Sequence, residues 1–233
     1  QFLNATNTLQ DVVFANMVRG FFPAADQGAS TTLSTIKSRR IVEGGLYSSS
    51  TANFTITSME ISDIDDLNDI RLFNYDGTTT LVNSTFDTTA LQFNGTGSGG
   101  VERAFTLDLK IVDTLNQPIQ GAAVIITDTN NNEIFNGSTD ANGLIGQQTV
   151  TTDYYNYNFP AGVSLNTHTL SVTAAGKNDV TQTLDIQAAQ DFSVVMASAC
   201  DSTGSDVAYP MKVATTSDIT VTSAEITVWG TWG

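Results

Sequence analysis

The chain has 233 residues and carries 9 Lys and Arg against 24 Asp and Glu, which gives a formal net charge of −15. This length holds one large domain or two modest ones with a real core. A nucleic-acid surface needs clustered Lys and Arg, and Arg39-Arg40 is the only adjacent basic pair, so no nucleic-acid partner is expected. The acidity also argues against anionic membrane surfaces. No apolar run approaches the roughly 18 residues that a membrane span needs.

Residues 1–30 are predicted to form an N-terminal assembly segment. Its apolar residues fit either a helix or a strand over residues 8–19, and Gly20 and Pro23 end either element. A contiguous apolar patch of this kind marks an interaction site. We expect it to insert into a groove or an open sheet edge of an adjacent subunit; packing against residues 31–100 is the alternative. The predicted assembly residues are Leu9, Val12, Val13, Phe14, Met17, Val18, Phe21 and Phe22.

Residues 31–100 are predicted to form a β-rich region of short strands. Asp76-Gly77 is a tight-turn signal that predicts a hairpin between residues 70–75 and 78–86. Residues 95–100, rich in Gly, are interpreted as a linker or hinge. No internal repeat is evident at a fixed period. Residues 198–233 contain further alternating runs around 219–221 and 226–228, which predict final strands that pack on the β-rich region.

Residues 101–197 carry the clearest pattern. Apolar residues alternate with polar ones from Phe105 to Ile111, as in a half-buried strand. Polar turns follow at 116–118, 128–132 and 139–143, and further alternating runs come at the spacing of a β-sandwich. The side chains predicted to lie inside are Leu107, Leu109, Val124, Ile126, Leu170, Val172 and Leu184.

This segment resembles the carboxypeptidase-regulatory-like and bacterial immunoglobulin-like modules of secreted surface proteins. The resemblance is carried by three stretches: D-x-x-x-x-P-I-x-G-A-x-V from Asp113 to Val124, T-D-A-N-G at 139–143, and L-x-V-x-A-x-G from Leu170 to Gly176. Lys177 stands where the family usually has an aromatic residue. The resemblance implies an all-β fold, an immunoglobulin-like or transthyretin-like sandwich, beside the smaller β-region and the docking segment. It says little about function, because such modules serve as spacers, adhesins and polymer subunits.

The sequence offers little material for catalysis. His168 is the only histidine and Cys200 the only thiol, so a metal cage or a nucleophile–base pair has few candidates. We interpret His168 as structural and Cys200 as a buried small hydrophobe, with pairing between chains as the alternative. No glycine-rich phosphate loop is present. The sequence therefore predicts no enzyme and no cofactor.

Two acidic clusters are weighed as calcium sites. Asp128, Asn130 and Asn132 alternate like half of a calcium loop, but Glu133 and Thr139 occupy positions where the loop needs Gly and Glu, so a hairpin turn is favoured. The denser cluster is a weak calcium candidate, with a solvated loop as the alternative. Its residues are Glu60, Asp63, Asp65, Asp66 and Asp69.

Five N-x-S/T sequons give glycosylation candidates at Asn4, Asn53, Asn83, Asn94 and Asn136. Their number is close to chance, but Asn94 and Asn136 stand beside Gly and are predicted to lie in exposed turns. The chain starts at Gln1 and is rich in Ser and Thr, which we interpret as a mature secreted protein.

These observations predict an extracellular, non-enzymatic structural subunit of a filament, pilus-like fibre or surface layer. Copies of the chain are expected to form a homopolymer, joined head to tail through the N-terminal segment as in strand addition. The alternative is a carbohydrate-binding or adhesive module, or a virion surface protein, with Tyr154, Tyr155 and Tyr157 as a possible aromatic platform.

Overall fold

The computed structural model describes residues 7–20, 31–48, 53–64, 69–73, 76–95 and 97–199. These residues form strands and turns only, which confirms the predicted all-β class, and none of them forms a helix that could cross a bilayer. The sixteen strands are β1 Asn7–Met17, β2 Thr31–Ile41, β3 Leu46–Ser48, β4 Phe54–Thr57, β5 Glu60–Ile64, β6 Ile70–Phe73, β7 Thr78–Val82, β8 Leu91–Asn94, β9 Gly100–Asp113, β10 Ala123–Thr127, β11 Glu133–Ser138, β12 Gln148–Asn156, β13 Val163–Ser164, β14 His168–Thr173, β15 Val180–Leu184 and β16 Gln190–Met196.

The N-terminal half is a parallel β-solenoid, in which each turn of the chain forms a rung on the one before. β1, β2, β4, β7 and the start of β9 pair in parallel in that order, and β5 continues the rung of β4 against β2. β3, β6 and β8 form a second parallel sheet. Parallel neighbours need a long connection. The connections from β2 to β4, from β5 to β7 and from β7 to β9 run through the second sheet as β3, β6 and β8.

The rungs constitute a repeat that the sequence analysis did not detect. Asn7 pairs with Thr31, Leu33 with Ile56, Phe54 with Thr79, and Thr78 with Gly100, so successive rungs are 22 to 25 residues apart. The period is not fixed, which is why no repeat was evident in the sequence. The predicted hairpin at Asp76-Gly77 was wrong, because β6 pairs with β3 and β8 while β7 pairs with β4 and β9.

Apolar side chains stack in columns inside the solenoid. Leu33, Ile56 and Leu81 occupy one register position in three successive rungs, and all three are buried. Leu46, Ile70 and Leu91 form a similar column in the second sheet. Burying such side chains stabilises a fold by roughly 1.5–3 kcal/mol each. No single rung could bury its own apolar face, so the rungs depend on their neighbours.

The C-terminal half is a β-sandwich. One sheet contains β16, the second half of β9, β12 and β13; the other has the order β11-β10-β14-β15. All seven side chains predicted to lie inside belong to the buried core, which confirms the predicted facing of these strands. Leu107, Leu109 and Ile111 alternate with half-buried Asp108 and Lys110, as the period of two requires.

β9 belongs to both halves. Its first residues pair with β7 of the solenoid, and its last residues pair in parallel with β16 of the sandwich. The glycine run before it is packed rather than hinge-like, since a Cβ at Gly99 would lie 1.8 Å from the Gly77 carbonyl oxygen and one at Gly100 2.2 Å from that of Tyr155. The predicted boundary at residue 100 thus falls inside a continuous strand. The division into 1–30, 31–100, 101–197 and 198–233 stays a prediction.

Candidate assembly surface

The solenoid turns its corners at residues with left-handed backbone conformation. Asp11, Thr35, Ser58 and Asn83 have φ of 56°, 53°, 59° and 49° and occupy one register position in four successive rungs. We call this position the first corner. L-residues adopt it at a cost, which is smallest for Asn and Asp because their short side chains bond locally.

A second corner lies five residues after the first in three of these rungs. Asn16, Arg40 and Asp63 have φ of 56°, 54° and 54°, and the pairing of β1 with β2 and of β2 with β5 stacks them in one column. Relative to the first corner, inward side chains therefore come two residues before it and one, three and six residues after it. The first corners are all small polar residues, but Arg40 occupies one of the second corners, and the unequal rung lengths hide the recurrence in the sequence.

The first described rung leaves one edge of the solenoid open. β1 pairs with β2 through nine residue pairs, and no other strand among the described residues pairs with β1. An uncovered strand edge is a template for pairing with another strand.

The columns of stacked apolar side chains end at β1, where no further rung among the described residues covers them. Val12 and Phe14 pack on the solenoid core but are only partly buried, whereas Ile36 beneath Val12 is fully buried. Met17 is 45% exposed, while its partner Ile41 is 0% exposed. On the outer surface Val13 is 49% and Val18 61% exposed. This set of residues at the edge of β1 is the open end.

The far end of the solenoid is closed. The second half of β12 runs antiparallel to the start of β9 and covers its edge, and Tyr155 inserts into the solenoid core. Arg103 donates from Nε and Nη2 to Asp153 Oδ2 at 2.9 and 2.6 Å, and its guanidinium lies 5.8 Å from the Phe105 ring centre. Such charge-assisted bonds fix geometry as well as add energy.

Charge is distributed unevenly between the two halves. Residues 1–48 hold four basic residues against Asp11, Asp26 and Glu43, a net charge of +1. Residues 97–199 hold ten acidic and three basic residues, a net charge of −7. On the outer face Lys37 Nζ pairs with Glu60 Oε2 at 2.5 Å and Arg19 Nε with Glu43 Oε2 at 2.8 Å. The open end is thus the basic end of an acidic chain.

The structure corrects the inserted-arm interpretation of the N-terminal segment. Residues 7–17 form a strand, which decides between helix and strand, and that strand pairs with β2 of its own chain. The alternative, packing against residues 31–100, describes this part of the segment. Phe21 and Phe22 lie outside the described residues, as does the side chain of Leu9. The assembly role of the eight residues stays a prediction.

The glycosylation candidates have different surroundings. Asn53 and Asn136 are exposed, but Asn136 lies within β11 and Asn94 at the end of β8 rather than in the turns that we predicted. Asn83 Nδ2 donates to Thr106 Oγ1, and its Oδ1 accepts from the Thr106 N–H, so this amide is already engaged. Asn4 lies outside the described residues.

The acidic clusters serve turns and ion pairs where the structure describes them. Asp128 Oδ1 accepts from the N–H groups of Asn130 and Asn132, as the favoured turn interpretation expects. Asp69 Oδ2 accepts from the Asp87 N–H, and burial raises the pKa of the Asp69 carboxyl. Asp65 and Asp66 lie outside the described residues. Within the described part of the chain, no three His, Cys, Asp or Glu side chains come close enough to share a metal ion.

His168 is fully buried in the sandwich at the start of β14. Neither ring nitrogen has a hydrogen bond of good geometry within the described residues, although the Thr151 backbone lies close to the ring. Burial lowers the pKa of His168, although the Thr151 backbone and the Asp128 carboxylate favour the charged ring. Burial also raises the pKa of Asp128, but the hydrogen bonds from Asn132 and Asn130 outweigh it and leave that pKa lowered.

The three tyrosines do not form a shared platform. Tyr155 is buried in the solenoid core, and its neighbour Tyr154 faces the other side of β12. Tyr157 is exposed beyond the end of the strand and lines a small hollow with Leu72 and Phe93. Cys200 lies outside the described residues.

Comparison with known proteins assigns no family. No family model matches the chain, and no curated protein matches its sequence. Among solved structures, the 3-chlorocatechol 1,2-dioxygenase of Rhodococcus opacus is similar over 41% of this chain and 60% of its own, with 11% identity and a TM-score of 0.32. The Bacillus anthracis TIE protein matches over 52% of this chain and 19% of its own, with 15% identity and a TM-score of 0.31.

A D295N mutant of the shaft pilin SpaA from Lactobacillus rhamnosus matches over 40% of this chain and 46% of its own, with 15% identity and a TM-score of 0.29. The chain thus spans less than two thirds of each of these proteins. At such TM-scores the similarities transfer neither an activity nor a partner.

Proposed function

We propose that this chain is a secreted, non-enzymatic structural subunit of an extracellular filament, pilus-like fibre or surface layer. Its copies join head to tail, and the open end is one of the two joining surfaces. Residues 101–197 act as a surface-protein module of the carboxypeptidase-regulatory-like or immunoglobulin-like kind. The observation that carries the proposal is a solenoid that β12 closes at one end, while no strand among the described residues covers β1 at the other.

The open end supports assembly because a soluble solenoid needs a polar cap on each terminal rung. β12 supplies the cap at the sandwich side. At β1, no strand among the described residues covers the outer edge, and Val12 and Met17 are partly exposed there. Covering these side chains stabilises an interface, as does pairing the edge of β1.

The charge distribution favours head-to-tail contacts over head-to-head contacts. Two open ends that meet would bring like charges together, since residues 1–48 carry a net charge of +1. A basic open end and an acidic sandwich are complementary, which steers association and suppresses the wrong orientation. A head-to-tail contact that does not close into a ring produces a fibre.

The test is electron microscopy of the purified full chain, with three variants that all place Lys at exposed apolar positions. Met17→Lys and Val18→Lys alter the open end. Ile125→Lys is the matched control, on the outer face of the four-stranded sheet. We expect fibres or sheets from the natural chain and the control, and dispersed particles from the two open-end variants at an unchanged melting temperature. Monodisperse particles from the natural chain at all concentrations would overturn the proposal.

A further inference from the structure

Asn94 stands where a strand of the solenoid ends and the chain turns. It is the last residue of β8 and the first residue of the sequon Asn94-Gly95-Thr96. Gly95 has φ of 90°, a conformation that glycine adopts without strain. Asn94 is partly exposed, and its side-chain amide makes no hydrogen bond to any residue that the structure describes. Its Nδ2 is therefore available for modification in the folded chain.

Two exposed aromatic rings flank Asn94 from different parts of the fold. Phe73 in β6 pairs with Asn94 in register, so the two side chains lie side by side on one face of the second sheet. Tyr157, just after the end of β12, lines a hollow together with Asn94. Phe73 is 45% exposed and Tyr157 is 58% exposed. Large aromatic side chains that are left open to water in this way mark an interaction surface.

The hollow beside Asn94 and Tyr157 has the size and the lining for one sugar residue. It measures about 190 Å³, including its open mouth. Gly95, Gly97 and Gly99 form part of its wall and present no side chains that would fill it. A pyranose ring carries C–H groups on its faces, and these groups pack on the negative face of an aromatic ring.

We propose that Nδ2 of Asn94 carries an N-linked glycan whose first sugar packs against Tyr157 and Phe73. In the transfer, Nδ2 forms a bond to the anomeric carbon of a lipid-linked glycosyl phosphate. The bond from that carbon to the phosphate oxygen breaks, and the phosphate leaves with its lipid. The amide gives up one proton, and no oxidant or reductant is needed. Sequon glycosylation belongs to secreted proteins, so the inference rests on the secretion that the proposed function includes.

The amides of the other described sequons are already engaged in hydrogen bonds. Asn83 uses both Nδ2 and Oδ1 in bonds to Thr106, and a sugar on Nδ2 would have to displace that contact. Asn136 Nδ2 donates to Glu133 Oε2 at 2.9 Å. Asn53 Oδ1 accepts a backbone N–H bond at 2.8 Å. We therefore expect the highest glycan occupancy at residue 94 and a low occupancy at residue 83.

Glycopeptide mass spectrometry measures the occupancy of each sequon in the full chain, secreted from cells that glycosylate a co-expressed reporter glycoprotein. We expect a glycan at Asn94 on most chains and a glycan at Asn83 on few. Asn94→Gln and Thr96→Ala should each remove the glycan, the second substitution while keeping Asn94 in place. A chain that is bare at Asn94 while the reporter is glycosylated would overturn the inference, as would equal occupancy at Asn83 and Asn94.

Thermal melting tests the packing of the sugar on the two rings. Enzymatic removal of the glycan should lower the melting temperature by roughly 2–4 °C, as the loss of one stacked contact does in a chain of this size. Tyr157→Ala and Phe73→Ala should each reduce this shift, whereas Phe159→Ala, an exposed ring that does not line the hollow, should leave it unchanged. An equal shift in all three variants would refute the packing. Fibres from a chain that is bare at Asn94 would refute the glycan and leave the structural function standing.

Discussion

Thr35→Asn should stabilise the protein, although Thr35 lies in the middle of a strand. Thr35 is at the first corner with φ of 53°, between Asp11 and Ser58 in neighbouring rungs. An L-residue costs about 1–2 kcal/mol in this conformation, and a β-branched residue is among the least suited to it. Asn adopts it readily, so the free energy of unfolding should rise by about 1 kcal/mol. For a chain of this size the melting temperature should rise by about 2–4 °C.

Thr57→Asn is the matched control, because Thr57 pairs with Ser34 in the extended part of the same rungs. The substitution replaces a good strand residue by a poor one, so it should lower the free energy of unfolding. Urea unfolding followed by circular dichroism measures both variants. Equal destabilisation by the two substitutions would show that the corner at Thr35 stores no backbone strain, and would refute the stacked-corner description of the solenoid.

Three further predictions concern the sandwich and its junction. Leu109→Ala should destabilise the protein by about 2–5 kcal/mol through lost contacts and a cavity, because Leu109 is fully buried in the core; urea unfolding measures the change, and an effect below about half a kcal/mol would contradict the burial. Because the pKa of His168 is lowered in the folded protein, the unfolded chain binds a proton more readily at this residue. The free energy of unfolding should therefore be highest above pH about 6.5 and fall as the pH drops below that value. Urea midpoints at pH about 7.5 and about 5.5 test this, and His168→Phe should reduce the difference between the two midpoints. Gly100→Ala should unfold or strongly destabilise the junction, since its Cβ would meet the Tyr155 carbonyl oxygen, whereas Gly146→Ala meets no atom within 4 Å and should be close to neutral by thermal melting.

The sandwich could be predicted from the sequence because the residues that specify each strand and turn lie close together in the chain. Phe105 to Ile111 alternates within one strand, and the turns that follow use residues whose side chains bond their own backbone. Asp113 and Asp140 accept backbone N–H bonds from Gln117 and Leu144, and these bonds lower the pKa of both carboxyls. A pattern of this kind specifies strand, turn and facing without knowledge of distant residues.

The solenoid could not be predicted in the same way, because the residues that stack on one another are far apart in the sequence. Leu33, Ile56 and Leu81 share a column but stand more than 20 residues apart, and the rungs differ in length. Asp76-Gly77 has the composition of a hairpin turn, and only the pairing of β7 with β4 shows that it is not one. The corners escaped notice because Asp, Thr, Ser and Asn all fill one position. The apolar residues of the open end were named from the sequence, but their place on the edge of a strand was not, since that edge exists only once the rungs are stacked.

The continuity of β9 gives the two halves different mechanical properties. Tension along the stacking direction of the solenoid pulls neighbouring rungs directly apart, so the ladder between β1 and β2 is loaded a few hydrogen bonds at a time. Tension along β9 instead loads the parallel pairing with β16 in shear, where all seven paired residues resist together. A fibre built from such subunits would extend first as solenoid rungs separate, while its sandwiches stay folded. When the load is released, the rungs would form again on the folded sandwiches.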